Sequence, residues 1–371
     1  MKILFDYQAI SGQDYGGNSR LYIELIKRLK SKCEIDYSLL FSNNHYLREN
    51  NFLNALPFFS NQEFKYKNEI KNTINKIYSS KKILFDDYDI FHPTYYNNYY
   101  LSFYKKKKPL VLTVLDFIHE NYYRKSGISL NDNTINNKNN LIKKASKIIS
   151  ISEYTKREML ELYPMLDPEN VKVSHLNHSL NMSLIKENTA ISERYCNYLL
   201  FVGRRPHYKN FVKLVKALQY YLLDNPNQIL ICAGGGKFTN EERVLLRELK
   251  IEKQVIQHFF SNDSDLVTLY KNAKCFIFPS EYEGFGIPVL EAFQCGCIAL
   301  LNNRTSLPEV GGNAALYFDI DNTQSLLIAL NKLDDLTLIS ELKLKMVSQL
   351  LKFSWERFTD DHFKIYSDLC K

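Results

Sequence analysis

Short apolar runs alternate along this chain with longer stretches in which apolar residues return every three or four positions. The runs are KILFDY, DIFHPTY, LVLTVLDF, KIISIS and VKVSHL in the first half, then YLLFVG, QILICAGG, VIQHFF, CFIFPS, CIALLN and ALYFDI in the second. Nearly unbroken runs of this length fit strands covered on both faces, as parallel sheets require. Between them lie helical patterns; RLYIELIKRLK sets Leu21, Leu25 and Leu29 on a single face. Strand and helix in alternation predict βα units, hence an α/β fold of doubly wound parallel sheets.

The polar stretch from Asn181 to Asn197 follows neither period and reads as a linker between two domains, the number expected for 371 residues. The expected organisation is a first Rossmann-like domain over 1–183, a linker over 184–197, a second such domain over 198–353 and a terminal helix over 354–371. Lys105 to Lys108 and the Asn-rich stretch Asn131 to Asn140 read as loops. Two similar doubly wound domains would meet at a central cleft, with ligands at the carboxyl ends of the strands.

Composition sharpens this picture. Apolar residues make up 45% of the chain, ample for two cores, and the net charge is +7. The first 190 residues hold 27 Lys+Arg against 20 Asp+Glu, and the remainder is balanced. A basic first half suits contact with an anionic membrane leaflet, with solvated lysines as the plain alternative. No nucleic-acid recognition module accompanies the charge, so nucleic acid is set aside as a partner. Asp6 inside the first apolar run marks a buried strand rather than a signal peptide, and no stretch approaches the ~20 apolar residues of a membrane span. Seven cysteines lie scattered, with Cys295-x-Cys297 too tight for a metal knuckle, which reads as reduced thiols in the cytoplasm.

The most informative chemistry lies between Phe278 and Val310, FPSEYEGFGIPVLEAFQCGCIALLNNRTSLPEV. A strand, a Gly-Phe-Gly turn and a helix start follow one another, with Glu283 and Glu291 on either side of the turn. A helix start offers unpaired N–H groups to an anion, here those of Val289 and Leu290, and Pro288 suits the first helical position. Gly284 and Gly286 allow close approach of backbone to a ligand. Carboxylates beside an anion site make sense when they grip neutral hydroxyls, so the pattern points to a sugar nucleotide rather than a bare phosphate. An ordinary βα turn in another doubly wound enzyme is the bland alternative.

The Glu-x7-Glu pattern with EGFGIPVLEA, followed by SLPEVGG, resembles the retaining glycosyltransferases of family 4, which have the GT-B fold of two Rossmann-like domains facing a cleft. The resemblance implies that the terminal helix over 354–371 crosses back to the first domain and that Glu291 holds ribose hydroxyls. It likewise implies that Glu283 holds the transferred sugar together with the backbone N–H groups of Gly284, Phe285 and Gly286. FVGRRPHYKN matches the family's Arg just after a strand-ending Gly203 and its Lys five residues on: Arg204 and Lys209 would stabilise the leaving diphosphate, with Arg205 less clearly involved. Gly16 and Gly17 match the family's Gly-Gly turn in the first domain. Asp116 and His119 stand at the end of LTVLDF; many members read His-Asp there, whereas a Tyr-Asp-Met-Ile-His-Glu sub-group is similar to this chain and would match His119. A structural role for His119 remains the alternative.

His92-Pro93-Thr94-Tyr95 resembles runs in mannosyl- and related transferases, with core packing favoured for most of the neighbouring tyrosines. Asp87-Tyr88-Asp89 is discounted as a metal motif because it precedes a buried strand, and the resembled family needs no metal. AGGGK (Ala233 to Lys237) lacks the Ser or Thr of a phosphate-binding P-loop and reads as a βα turn under the nucleotide base or a plain loop.

The resulting expectation is a retaining, metal-independent glycosyltransferase without cofactor, moving a sugar, with a lean toward GDP-mannose, from a nucleotide-diphosphate sugar to a glycan or lipid-linked acceptor in surface polysaccharide synthesis. It would work in the cytoplasm or at the inner face of the cytoplasmic membrane. The alternatives are another GT-B enzyme, an epimerase or phosphorylase, and a non-catalytic sugar-nucleotide-binding subunit.

Overall fold

The computed structural model describes residues 1–371 apart from 15, 51–53, 61, 105–107, 124–126, 128–132, 181, 183–187, 206 and 261. The described chain divides into two units, Met1–Leu176 with Ser354–Lys371, and Asn177–Phe353. The segment read as a linker, 184–197, falls inside the second unit, where Thr189–Arg194 is helical.

In the first unit, strands β1 (Lys2–Asp6), β2 (Glu34–Ser38) and β3 (Ile90–His92) pair in the order β2-β1-β3. Strands β4 (Val111–Val114), β5 (Lys147–Ser150) and β6 (Val171–Val173) pair in sequence. All pairings are parallel, and an isolated parallel bridge from Phe91 to Leu110 joins the two sets. Helix Gly17–Leu29 covers the sheet with Leu21, Leu25 and Leu29 fully buried, each contributing about 1.5–3 kcal/mol of burial. The last helix, Trp355–Leu369, is capped by Ser354 Oγ, which accepts the Glu356 and Arg357 N–H groups at 3.1 and 3.2 Å.

A buried polar seam locks that helix to the first sheet. His92 Nδ1 lies 2.6 Å from the Tyr366 hydroxyl, and His92 Nε2 lies 3.0 Å from Thr113 Oγ1. The His362 ring stacks on His92 with centroids 5.9 Å apart. His92 is therefore a structural residue of the first unit's core, in line with the packing alternative for its neighbours Tyr96 and Tyr100, both buried.

The second unit holds one six-stranded parallel sheet. Its strands are β7 (Tyr198–Val202), β8 (Leu230–Ala233), β9 (Val255–His258), β10 (Ala273–Phe278), β11 (Ala299–Asn302) and β12 (Leu316–Phe318). The order β12-β11-β10-β7-β8-β9 is the doubly wound order, which reverses direction between β7 and β10. Ligands in such sheets bind beyond the carboxyl ends of the strands at that reversal. Gly203–Lys209 follows β7, and Pro279–Gly286 follows β10.

Two elements depart from expectation. Strand β2, EIDYS, carries two acids on its exposed half and hides its strand character. The Asn-rich stretch read as a loop forms a helix, Thr134–Lys144, because Lys138, Leu141 and Ile142 bury one face; its residues 131 and 132 lie outside the described ones, as do 105–107 of the Lys run. All seven cysteines are free thiols.

Candidate functional site

At the reversal point of the second sheet, the backbone is shaped first. Gly286 caps helix Ile287–Gln294 with φ 116°, a left-handed value open to glycine, and a Cβ there would stand 3.0 Å from Leu307 Cδ2. Pro288 is the second helical residue, where its missing N–H still costs nothing. The loop before the helix is held from β11's side: Glu283 N–H donates to Thr305 Oγ1 at 3.1 Å, and Ser306 Oγ stands 2.9 and 2.7 Å from the Glu283 and Phe285 carbonyl oxygens.

Lys209 closes on this loop from β7. Its Nζ lies 2.5 Å from Glu283 Oε1, with side chains 17% and 14% exposed, and 5.3 Å over the Phe278 ring. Asn210, in the left-handed region at φ 55°, donates from Nδ2 to the Pro279 carbonyl at 3.0 Å. The Glu281 N–H donates to the Tyr208 carbonyl at 2.7 Å, so the β7 and β10 loops form one body. Arg204 is exposed.

Arg205, left open by the sequence, proves to be buried scaffolding. Its guanidinium pairs with Glu242 at 3.0 Å, donates to the Gly234, Gly236 and Lys237 carbonyls at 3.1, 3.0 and 2.8 Å, and lies 4.8 Å over the Phe238 ring. It thereby shapes the AGGGK turn, where a Cβ at Gly235 would come 2.7 Å from the Gly203 carbonyl oxygen.

One expected donor group behaves differently. The Val289 N–H, expected to face an anion, donates to the Gly286 carbonyl at 2.9 Å, because the helix closes a tight first turn on its glycine cap. The Leu290 side chain is fully buried in the core and leaves the reading of its N–H as it stood. Glu291 is 6% exposed, with the Tyr270 hydroxyl 3.4 Å from Oε2. Burial, with Glu291 nearby, pushes the Cys295 thiol up to about 12, so it stays protonated.

The remaining expected residues belong to the first unit. Gly16, backbone extended at φ 167°, caps the helix Gly17–Leu29, and a side chain at Gly17 would meet open space. Asp116 Oδ1 accepts the Ile118 N–H at 3.1 Å, and its carbonyl accepts Lys138 Nζ at 2.9 Å. His119 opens a π-helical turn, His119–Tyr123. Lys138 escaped the sequence reading because it sits in the Asn-rich stretch. Its ammonium is fully buried between the Tyr96 and Phe117 rings, 4.9 Å from each, and 3.0 Å from Glu120 Oε2. It anchors the segment carrying Asp116 and His119.

Comparison with known proteins bears on this geometry. Residues 185–346 match the family model described as Glycosyl transferases group 1, a span that contains Arg204, Lys209, Glu283 and Glu291. Among solved structures, a glycosyltransferase from Rickettsia africae ESF-5 aligns with TM-score 0.70 and 19% identity over 100% of this chain and 98% of that one. Anabaena Alr3699/HepE, solved in complex with UDP and glucose, aligns with TM-score 0.71 and 17% identity over 99% and 100%. The fold is GT-B. Among curated relatives, O-antigen chain mannosyltransferase B of Escherichia coli is 26% identical over 99% of both chains. Serotype-specific mannosyltransferase WbdA of Escherichia coli is 44% identical over 103 residues, 28% of this chain and 13% of that protein. Glycosyltransferase is the class that the matched segment and the GT-B fold jointly support.

Proposed function

We infer that this protein is a retaining glycosyltransferase that moves a sugar, mannose in the first instance, from a nucleotide-diphosphate donor to a glycan or lipid-linked acceptor in O-antigen-type polysaccharide synthesis. The observation that carries the reading is the Lys209–Glu283 pair at the reversal point of the second sheet, inside the segment matching group 1 glycosyl transferases. The mannosyltransferase relatives favour mannose and surface polysaccharide. The likeness to HepE is one of fold alone, so its UDP leaves the base open.

In this reading the donor diphosphate takes over Lys209 from Glu283 and adds Arg204. Glu283, released, accepts hydrogen bonds from sugar hydroxyls, and Glu291 those of the ribose. Breaking the bond between anomeric carbon and phosphate oxygen builds charge on the phosphate. The Lys209 ammonium and the Arg204 guanidinium would stabilise that charge more than the ground state, which is where rate acceleration arises. The acceptor hydroxyl attacks from the same face, and the departing phosphate oxygen takes its proton. Two carboxylates near the sugar then need not act as a hydrolase pair. No metal enters the reaction, and activity should survive EDTA.

A thermal-shift panel of GDP-, UDP-, ADP- and dTDP-sugars identifies the donor, and transfer from the radiolabelled hit measures activity. Glu283→Gln should lower turnover by about 100-fold or more while thermal unfolding stays near wild type. Near-normal turnover in that variant removes Glu283 from the reaction.

A further inference from the structure

Helix Lys67–Phe85, in the first unit, is inside out. Its core-facing row is Lys67, Lys71, Asn75, Ser79 and Ile83. The polar members are employed there. Asn75 Oδ1 accepts the Leu40 and Phe41 N–H groups at 3.0 and 2.9 Å. Ser79 Oγ lies 2.6 Å from both Ser38 Oγ and the Tyr99 hydroxyl. Lys67 Nζ donates to the Gln62 carbonyl at 2.8 Å, and Lys71 Nζ faces Asp14 at 3.7 Å. The opposite row, Tyr66, Ile70, Ile77 and Lys81, spans an arc of roughly 60°. There Tyr66 is 58%, Ile70 44% and Ile77 66% exposed. A helix facing only water carries the reverse pattern. Folding accounts for the inner row, and among the described residues nothing covers the outer one.

The apolar surface continues ahead of the helix. Phe59 is 54% and Phe64 40% exposed, and their rings meet edge to face with centroids 5.4 Å apart. Exposed Lys65, Lys76 and Lys81 rim it; Lys65 Nζ lies 4.9 Å over the Tyr66 ring. Among nearby acids, Glu63 is paired with Lys67, and Glu69 is an exposed acid in the helix's first turn, set against three exposed lysines. Lysine is depleted in protein–protein interfaces, whereas aromatic rings beside lysines suit the headgroup boundary of a bilayer. The excess of Lys and Arg in the first 190 residues points to the same partner.

We propose that this face docks on an anionic lipid bilayer, with Phe59, Phe64, Ile70 and Ile77 entering the headgroup boundary and Lys65, Lys76 and Lys81 meeting lipid phosphates. The inference deepens the lipid-side acceptor of the proposed function and stands whichever sugar is transferred. A second exposed apolar stripe, Leu344, Val347 and Leu351 in the other unit, has no aromatic member and serves as the control.

The full chain is floated with phosphatidylcholine vesicles, with and without about 30% phosphatidylglycerol, at low and high salt. Wild type should float with the anionic vesicles and release as salt rises. I70E/I77E should bind at least about 10-fold more weakly, with L344E/V347E unchanged. Circular dichroism checks folding, and F59E/F64E replaces I70E/I77E should that variant not fold. Donor turnover without vesicles should be equal in wild type and I70E/I77E, which separates this surface from the sugar-transfer reading. Wild type that fails to float, or floats as well after I70E/I77E, overturns the proposal. So does a wild-type dimer in light scattering that I70E/I77E splits while flotation persists, since a second copy would then cover the face.

Discussion

Thr305 concentrates the cost of the site in one residue. Its φ of 54° is left-handed, which a β-branched side chain adopts at a cost of about 1–3 kcal/mol. That conformation presents Oγ1 to the Glu283 N–H. Thr305→Gly should therefore keep or raise the unfolding temperature while turnover falls, and Thr305→Asn, which tolerates this backbone and offers an acceptor, should recover part of it. Thermal unfolding and donor turnover measured together decide; unchanged turnover in the glycine variant separates Thr305 from the site. Arg205 makes a second residue-scale case. Lysine cannot reproduce its fork, so Arg205→Lys should leave Glu242 poorly paired and lower stability by about 3–5 kcal/mol in urea titration. That Lys209 and Glu283 share one site was legible because the turn-and-helix grammar around them is local. Arg205, Asn210, Thr305 and Lys138 were not, since each works on a loop far away in sequence, and nothing beside them records which loop comes near.

Among the elements, strands with both faces buried were readable from their apolar runs, and β2 was not, because charged residues occupy its open half. The helix Thr134–Lys144 hides behind asparagines of low helix propensity and is held by tertiary burial of three side chains. The His92–His362 seam gives the last helix a pH dependence. Burial, with His362 adjacent, holds His92 well below the usual imidazole range, and burial lowers His362 to about 4. Both rings fold neutral. Their contribution is complete above the unfolded value near 6.5 and is lost as pH falls toward 4, about 3 kcal/mol for His362. Asp6, raised by burial, works the other way, since protonating it as pH falls relieves the fold. Urea titrations of the first unit between pH 7.5 and 4.5 should show a steep loss that flattens in His362→Gln; equal slopes in both proteins remove the seam as its source.

At the scale of the molecule, each unit owns its sheet and core, and the last helix belongs to the first. A fragment spanning 177–353 should fold alone, whereas 1–176 should need 354–371, supplied as a peptide, to regain near-ultraviolet dichroism. Folding of 1–176 to native stability without that peptide contradicts the division. The doubly wound α/β class followed from the alternating pattern, and GT-B from the family resemblance carried by the EGFGIPVLEA segment, but the boundary between the units did not, because the polar stretch after Asn181 carries no mark of which sheet its neighbours join.

Synthesis from the amino end gives that division a timetable. The first unit's sheet waits for the helix Trp355–Leu369 across an intervening stretch of 177 residues, roughly 10–35 s of ribosome time. Meanwhile His92 lacks its partners Tyr366 and His362, which leaves the nascent first unit a client for holding chaperones while the second is already finished.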